Sequence, residues 1–258
     1  MHNGRTYIVT GAASGIGAET CRQLRAAGAR VIGVDRHDTD NADELFLSDL
    51  SDPAAIDDLA TRLPEGADGL ANIAGLPPTA APDLLLKVNL IGLRRLTERL
   101  VPKLADGASI VNLASLAGFG WADALDQVRG ALALDFDGDI AGFCADNRLA
   151  EGGRSYFLSK EALIVWTMQN RWTWRERGIR MNAISPGPVD TPILPDFIET
   201  LGARAEEDMR VMDRPGRPVD IAPVVGFLLS TGSGWLRGAN IAADGGMSSH
   251  LLTGMHGL

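Results

Sequence analysis

Short runs of β-branched or apolar residues recur along the chain and predict strands. They lack strict apolar and polar alternation, as expected of strands that are covered on both faces. The runs cover residues 6–10, 30–35, 69–75, 109–115, 179–185 and 239–245, with a weaker seventh at 45–50.

Helical patterns fill the intervals between these runs. Ile16, Thr20, Leu24 and Ala27 fall on one helical face, and Gly28 is a natural stop. Further helices are predicted near residues 53–63, 84–104, 156–177 and 219–230. Because parallel neighbouring strands need crossover helices, this order predicts an α/β fold. We expect a single domain over residues 1–258, with a doubly wound, seven-stranded parallel sheet and helices on both faces.

The charge balance excludes several classes of partner. The chain has a net charge of −9 and a predicted pI of about 4.9, the wrong sign for nucleic acid or an anionic membrane. The first residues contain no apolar stretch typical of a signal peptide, and no apolar run approaches the ~18 residues of a spanning helix. Cys21, Cys144 and the four histidines show no metal-ligand spacing, so no metal site is predicted. Buried thiols in a reducing cytosol are the expectation, and hence a cytoplasmic protein.

A glycine-rich turn joins the first predicted strand to the first predicted helix. In TGAASGIG (10–17), Gly11, Gly15 and Gly17 let the backbone approach a ligand without an intervening Cβ. The amides at the start of the helix then point at that ligand, usually a pyrophosphate. Glycine-rich turns also serve as tight connections, so the turn alone leaves both readings open.

Asp35 favours the nucleotide interpretation. It ends the second strand, 18 residues beyond Gly17, close to the ~20 expected for a carboxylate that binds an adenosine ribose. Such a carboxylate repels a 2′-phosphate and so favours NAD over NADP. Arg36 could recruit that phosphate, but a solvated loop charge is the preferred reading. A methyltransferase would use the same two features, so this half of the chain does not decide the reaction.

Tyr156 and Lys160 form a Tyr-x-x-x-Lys spacing that places both side chains on one helical face. A free tyrosine has a pKa of about 10 and is a poor base at neutral pH. A nearby ammonium group favours the phenolate, so such a tyrosine can exchange a proton with an alcohol. On its own, the spacing would more often mark an ordinary surface helix.

Five motifs in one order resemble the short-chain dehydrogenase/reductase family. They are TGAASGIG, NIAG (72–75), Ser115 after a strand, YFLSK (156–160) and SPGPVDTP (185–192). The resemblance extends from Thr6 to about Gly246 and implies a Rossmann fold, an NAD(P)-dependent oxidoreductase acting on CH–OH groups, and a homodimer or homotetramer. The strings GVDR, KEALIVW, RMNAISPGPVDTPIL and DGG narrow it to a branch that acts on coniferyl alcohol and 3α-hydroxysteroids.

The resemblance also implies roles for individual residues. The implied catalytic residues are Asn89, Ser115, Tyr156 and Lys160. The implied cofactor-binding residues are Gly11, Ser14, Gly15, Ile16, Gly17, Asp35, Asp49, Leu50, Asn72, Ala74, Gly75, Tyr156, Lys160, Pro186, Gly187, Val189 and Thr191. In this scheme Ser115 steadies the reacting oxygen, Lys160 holds the nicotinamide ribose, and Asn89 supports a water in the proton relay. Asn72 and Asn89 also fit a purely structural reading as strand-end and helix-capping amides.

Two segments bear on the substrate. Ser115 precedes Tyr156 by 41 residues, far more than in most of the family, and residues 120–150 form an insertion. Leu125, Val128 and Leu132 predict a short helix in it. The insertion either covers the substrate cleft or alters the surface through which subunits pair, and the sequence does not separate these.

Residues 190–216 correspond to the family's substrate loop. The predicted pocket residues are Phe119, Trp121, Ile193, Leu194 and Phe197, with Met209 and Met212 in the same loop. Their apolarity suggests an aromatic or bulky apolar alcohol. The resemblance favours oxidation of coniferyl alcohol to coniferyl aldehyde, with 3α-hydroxysteroid oxidation or carbonyl reduction as the alternative. A catalytically silent NAD-binding regulator is a third possibility.

Overall fold

Seven parallel strands form one sheet in the computed structural model of this chain. The structure describes the backbone of residues 1–258 and every side chain except those of residues 204–206 and 208. The strands are β1 (Thr6–Thr10), β2 (Arg30–Asp35), β3 (Glu44–Leu47), β4 (Ala67–Asn72), β5 (Leu104–Leu113), β6 (Arg180–Pro186) and β7 (Asn240–Ala243). Their order is β3-β2-β1-β4-β5-β6-β7. The predicted seven-stranded parallel sheet is therefore confirmed.

The helices connect and cover these strands. They are α1 (Gly15–Ala26), α2 (Pro53–Arg62), α3 (Pro82–Leu86), α4 (Leu93–Leu100), α5 (Leu125–Ala133), α6 (Ile140–Asp146), α7 (Arg154–Gln169), α8 (Leu194–Leu201), α9 (Ala203–Val211), α10 (Pro218–Leu229) and α11 (Met247–Met255). No helix in the described part of the chain is long and apolar enough to cross a membrane.

Both faces of the sheet are buried, which is why its strands lack alternation. Along β1, Ile8 joins one apolar cluster, with residues of α2, α4 and α7. Tyr7 and Val9 point the other way and join a second cluster, with residues of α1 and α10. The doubly wound arrangement with helices on both faces follows from this division.

The predicted helix over residues 84–104 is interrupted. Between α3 and α4 the chain forms a π-helical segment, Lys87–Gly92. A Cβ on Gly92 would lie 2.0 Å from the Leu50 carbonyl oxygen, so this contact requires glycine. The predicted helix over 156–177 also ends early, at Gln169, where the Asn170 side chain donates to the Trp166 carbonyl at 2.9 Å. The spacing of apolar residues along the sequence does not report side-chain to backbone contacts of this kind.

The insertion adds two helices to the outside of the protein. The short helix predicted there is confirmed as α5, which packs against α7 and buries Val128 and Ala131. The second helix, α6, packs against α3 and contains Cys144, which is buried, as is Cys21 in α1. The segment at 190–216, expected as a loop, contains α8 and α9.

Candidate active site

Two adjoining cavities open at the carboxyl ends of the strands, where β1 and β4 lead their connections in opposite directions. Such a switch point is where open α/β sheets bind ligands. One cavity, about 310 Å³, is lined by the glycine-rich turn and is called the glycine-loop cavity. The other, about 320 Å³, contains Tyr156 and is called the tyrosine cavity. Ile16, Gly75 and Thr191 are among the residues that line both, so one extended ligand could occupy the two.

The glycine-rich turn is shaped by two close backbone approaches. A Cβ on Gly17 would lie 1.9 Å from the Gly11 carbonyl oxygen. Gly11 has φ +73°, and a Cβ there would lie 2.9 Å from the Ala74 amide nitrogen. The Thr10 hydroxyl holds the turn against β4 by accepting the Ile73 and Ala74 amides, each at 3.0 Å. Glycine is therefore required here by packing, and the start of α1 is left facing the cavity.

Most of the predicted adenosine-side residues lie around this cavity. Those that line it are Gly11, Ser14, Gly15, Ile16, Gly17, Asp35, Asp49, Leu50, Ala74 and Gly75. The Asp35 carboxylate accepts backbone amides from Ala13 at 2.9 Å, Arg36 at 2.7 Å and His37 at 3.0 Å. These bonds hold the carboxylate in place at the cavity wall, next to the exposed Arg36.

Ser115, Tyr156 and Lys160 meet in the tyrosine cavity although they are far apart in sequence. Ser115 follows the end of β5, and its hydroxyl accepts the Ala117 amide at 3.1 Å. Tyr156 and Lys160 lie one turn apart on α7. The Lys160 ammonium donates to the Leu113 carbonyl at 2.8 Å and lies 5.6 Å from the centre of the Tyr156 ring.

Burial dominates the protonation of this pair. It raises the pKa of Tyr156 to about 12, although a hydrogen bond with Ser115 works in the lowering direction. It lowers the pKa of Lys160 to about 8. The tyrosine shift is opposite to the one expected from the Tyr-x-x-x-Lys spacing. The reason is that both groups are almost fully buried, and desolvation disfavours the charged form of each.

The two predicted asparagines lie in the structure behind the cavities and do not line either one. The Asn72 amide donates to Thr97 and to Asn112, both at 2.9 Å, and Asn112 donates to Thr167 at 2.9 Å. This buried chain of polar groups ties β4, β5, α4 and α7 together. The sequence did not reveal it beyond Asn72 itself.

Asn89 fixes the loop that borders both cavities. Its side chain accepts the Leu76 amide at 2.7 Å and donates to the Leu76 carbonyl at 3.1 Å. The side chain lies in the π-helical segment and is fully buried. The Asn89 amide thus makes the two hydrogen bonds that a neighbouring strand would make with Leu76. These bonds hold Leu76 in place at the wall of both cavities.

The remainder of the tyrosine cavity is largely apolar. Phe119, Ile193, Leu194 and Phe197 line it, and so do Pro186, Gly187, Val189 and Thr191. Phe197 stands edge-on to the Tyr156 ring, with centroids 4.8 Å apart. Trp121 is not brought to the cavity and instead packs against the hydrophobic core.

Several residues that line the tyrosine cavity were not predicted from the sequence. They include Pro78, Phe157, Glu161, Leu201 and Leu251. Phe157 and Glu161 neighbour the predicted pair on α7, which is the one signal that could have indicated them. Leu251 comes from α11, and no local pattern connects that helix to the site. Of the described residues in the insertion at 120–150, Gly120 alone lines the cavity, so the two helices of the insertion do not form its wall within one chain.

No group of three or more potential metal ligands occurs among the described side chains. The chemical groups that the tyrosine cavity offers include the Ser115 hydroxyl, the Tyr156 phenol and the Lys160 amine.

Comparison with known proteins finds similar sequences over nearly the whole chain. A family model described as short chain dehydrogenase matches residues 5–124, and one described as enoyl-(acyl carrier protein) reductase matches residues 140–248. Coniferyl-alcohol dehydrogenase from Pseudomonas sp. strain HR199 is 43% identical over 255 residues, covering 95% of this chain and 97% of that protein. The 3-alpha-hydroxysteroid dehydrogenase/carbonyl reductase of Comamonas testosteroni is 31% identical, covering 94% and 96%.

A solved structure shares the whole architecture. The 3-alpha-hydroxysteroid dehydrogenase from Pseudomonas sp. B-0831, complexed with NADH, superimposes with a TM-score of 0.80 at 30% identity. The match covers 95% of this chain and 98% of that one.

Proposed function

This chain belongs to the short-chain dehydrogenase/reductase family, and we propose that it is an NAD⁺-dependent dehydrogenase of aromatic or bulky apolar alcohols. Coniferyl alcohol, oxidised to coniferyl aldehyde, is the proposed substrate. One observation carries the proposal: Ser115, Tyr156 and Lys160 share an apolar cavity that adjoins the glycine-loop cavity.

The residues present fit a nicotinamide dinucleotide. The glycine-loop cavity lacks side chains where a pyrophosphate would approach the backbone, because Gly11 and Gly17 leave no room for a Cβ. Asp35 lies beside the glycine-rich turn, held by three backbone amides that include Ala13 of the turn, and its carboxylate retains acceptor capacity for a ribose hydroxyl. A fixed carboxylate there opposes a 2′-phosphate, which supports NAD over NADP.

In the proposed reaction the alcohol loses a proton to the protein and a hydride to the cofactor. Bound NAD⁺ supplies the hydride acceptor. Tyr156 takes the alcohol proton at its phenolic oxygen, which requires that the positive charges of Lys160 and of the bound cofactor lower the pKa that burial raises to about 12. Ser115 donates a hydrogen bond to the reacting oxygen. Lys160 spends one of its three N–H donors on Leu113, which leaves two for the cofactor ribose and for charge stabilisation beside Tyr156.

The apolar lining supports an aromatic alcohol. Phe119, Phe197 and Leu194 offer flat or branched carbon surfaces, and a sugar would leave most of its hydroxyls without partners there. The 43% identity to a coniferyl-alcohol dehydrogenase points in the same direction.

Steady-state oxidation of coniferyl alcohol and of a 3α-hydroxysteroid, each with NAD⁺ and with NADP⁺, tests the proposal. We expect the highest kcat/KM for coniferyl alcohol with NAD⁺. Tyr156→Phe should abolish turnover while NADH binding persists, and Ser115→Ala should lower kcat roughly 100-fold. A Tyr156→Phe protein that keeps most of its turnover, or a clear preference for NADP⁺, would contradict the mechanism or the cofactor assignment.

The second candidate is a 3α-hydroxysteroid dehydrogenase/carbonyl reductase, which the 31% identical relative and the NADH-bound structural neighbour favour. The same assay separates it, because a preference for the steroid would replace the first proposal. Binding of NADH without turnover of either alcohol would indicate a catalytically silent regulator. A cytoplasmic homodimer or homotetramer remains a prediction.

A further inference from the structure

One charged side chain in the tyrosine cavity has no part in the proposed chemistry. Glu161 follows Lys160 on α7 and lines the cavity, yet it is only 4% exposed. A Cβ on Gly120 would lie 3.7 Å from its Oε1 atom, which places the carboxylate at the wall formed by the turn after β5. Glu161 also lines a neighbouring cavity, together with Arg154 and Gln127. A buried carboxylate is costly unless something binds it.

Arg154 pairs with that carboxylate. Its guanidinium donates to Oε1 at 2.8 Å and to Oε2 at 2.6 Å, a bidentate pair. Its Nε donates to Gln127 of α5 at 2.8 Å, so the insertion anchors the pair. Each carboxylate oxygen can accept a second hydrogen bond, because a bidentate arginine occupies only one acceptor position on each.

We propose that Glu161 binds a phenolic hydroxyl on the substrate, at the part of the cavity wall next to Gly120. This rests on the proposed function and specifies the substrate class as hydroxyaryl alcohols. The phenolic O–H donates to the Glu161 carboxylate while the alcohol carbon lies at Tyr156. A substrate whose far end carries only a carbonyl has no proton to donate, so Glu161 selects against it.

A pair of substrates measures this selection. The pair is coniferyl alcohol and the matched analogue that lacks only the phenolic hydroxyl. A hydrogen bond to a charged group corresponds to roughly 10- to 100-fold in binding. We expect the wild-type protein to favour coniferyl alcohol by that factor in kcat/KM, expressed mainly in KM, because the contact is made equally in the ground and transition states.

Glu161→Gln should remove most of the preference. In this variant the glutamine amide oxygen accepts from Arg154. The NH₂ group, a donor, then takes the place of the charged acceptor at the cavity wall. kcat/KM for coniferyl alcohol should fall about 10-fold, and that for the analogue should hardly change. Gln127→Ala, which loosens Arg154 without touching the carboxylate, is the matched control and should retain the preference.

A second variant covers the case in which Glu161→Gln does not fold. Arg154→Met combined with Glu161→Met replaces the whole pair by apolar side chains of similar volume, a change that buried ion pairs often tolerate. It should reduce the preference ratio to about 1, with folding checked by urea unfolding.

The outcomes separate the two proposals. If the wild type oxidises both alcohols equally well, or if Glu161→Gln lowers both to the same extent, Glu161 only braces α7 and the inference fails while the proposed function stands. If the wild type oxidises neither alcohol, the proposed function itself fails.

Discussion

Replacing Lys160 with methionine should stabilise the protein at neutral pH while abolishing its activity. Lys160 is 4% exposed, and among the described residues its ammonium has one hydrogen-bond acceptor, the Leu113 carbonyl. Burial lowers its pKa from 10.5 to about 8, so the folded protein binds this proton more weakly than the unfolded chain does. A neutral side chain of similar length avoids the cost of a buried charge.

The magnitude follows from the two pKa values. At pH 7 lysine is protonated in both states, and the shift costs the folded state about 3 kcal/mol. Between pH 8 and 10.5 the folded protein has lost the proton while the unfolded chain retains it, so stability rises with pH. At about pH 9.5 the remaining cost is ~1 kcal/mol. The free energy of unfolding of the wild type, minus that of Lys160→Met, should therefore rise by about 2 kcal/mol between these pH values.

Urea unfolding at pH 7 and about pH 9.5 measures this difference, and lost hydrogen bonds or packing cancel because they do not depend on pH. Tyr156 does not interfere, since its raised pKa affects stability only above the unfolded value of 10. Leu163→Met, on the same buried helix, exchanges no titratable group and should show no change between the two pH values. An equally constant difference for Lys160→Met would refute the reasoning.

Two further predictions concern stability away from that charge. Gly17→Ala should lower the free energy of unfolding by about 3 kcal/mol or more, the upper end of the range for overpacking, because its Cβ would overlap a backbone oxygen. The same variant should not bind NADH. Gly226→Ala, in α10, would place a Cβ 3.7 Å from the His2 side chain, an ordinary contact, and should instead stabilise by up to ~1 kcal/mol. Similar urea midpoints for the two variants would contradict the packing argument. Thr167→Val should cost about 1–3 kcal/mol by leaving the buried Asn112 amide without its acceptor. The Thr253 hydroxyl is exposed and, like that of Thr167, donates to the carbonyl four residues earlier in its helix. Thr253→Val should cost under ~1 kcal/mol, and equal losses for the two variants would mean that the buried network adds nothing.

The sequence alone was sufficient for the sheet, the glycine-rich turn and the Tyr156–Lys160 pair. Each depends on neighbours within a few residues: a buried strand reads as an apolar run, and a turn that meets its own helix needs glycine. The order of the motifs then identified the family. These features can be predicted because the same local sequence pattern adopts the same local geometry in different proteins.

The tertiary structure decided what surrounds that pair. Leu251 reaches the cavity from α11, while Trp121, close to Ser115 in sequence, packs into the core. Glu161 acquires its setting from Arg154 on the same helix and Gln127 on α5. The direction of the Tyr156 pKa shift also reversed, since desolvation depends on every group packed around the ring and the spacing reports only Lys160. Burial and long-range contacts are properties of the assembled chain, so substrate selection and proton affinity are decided there.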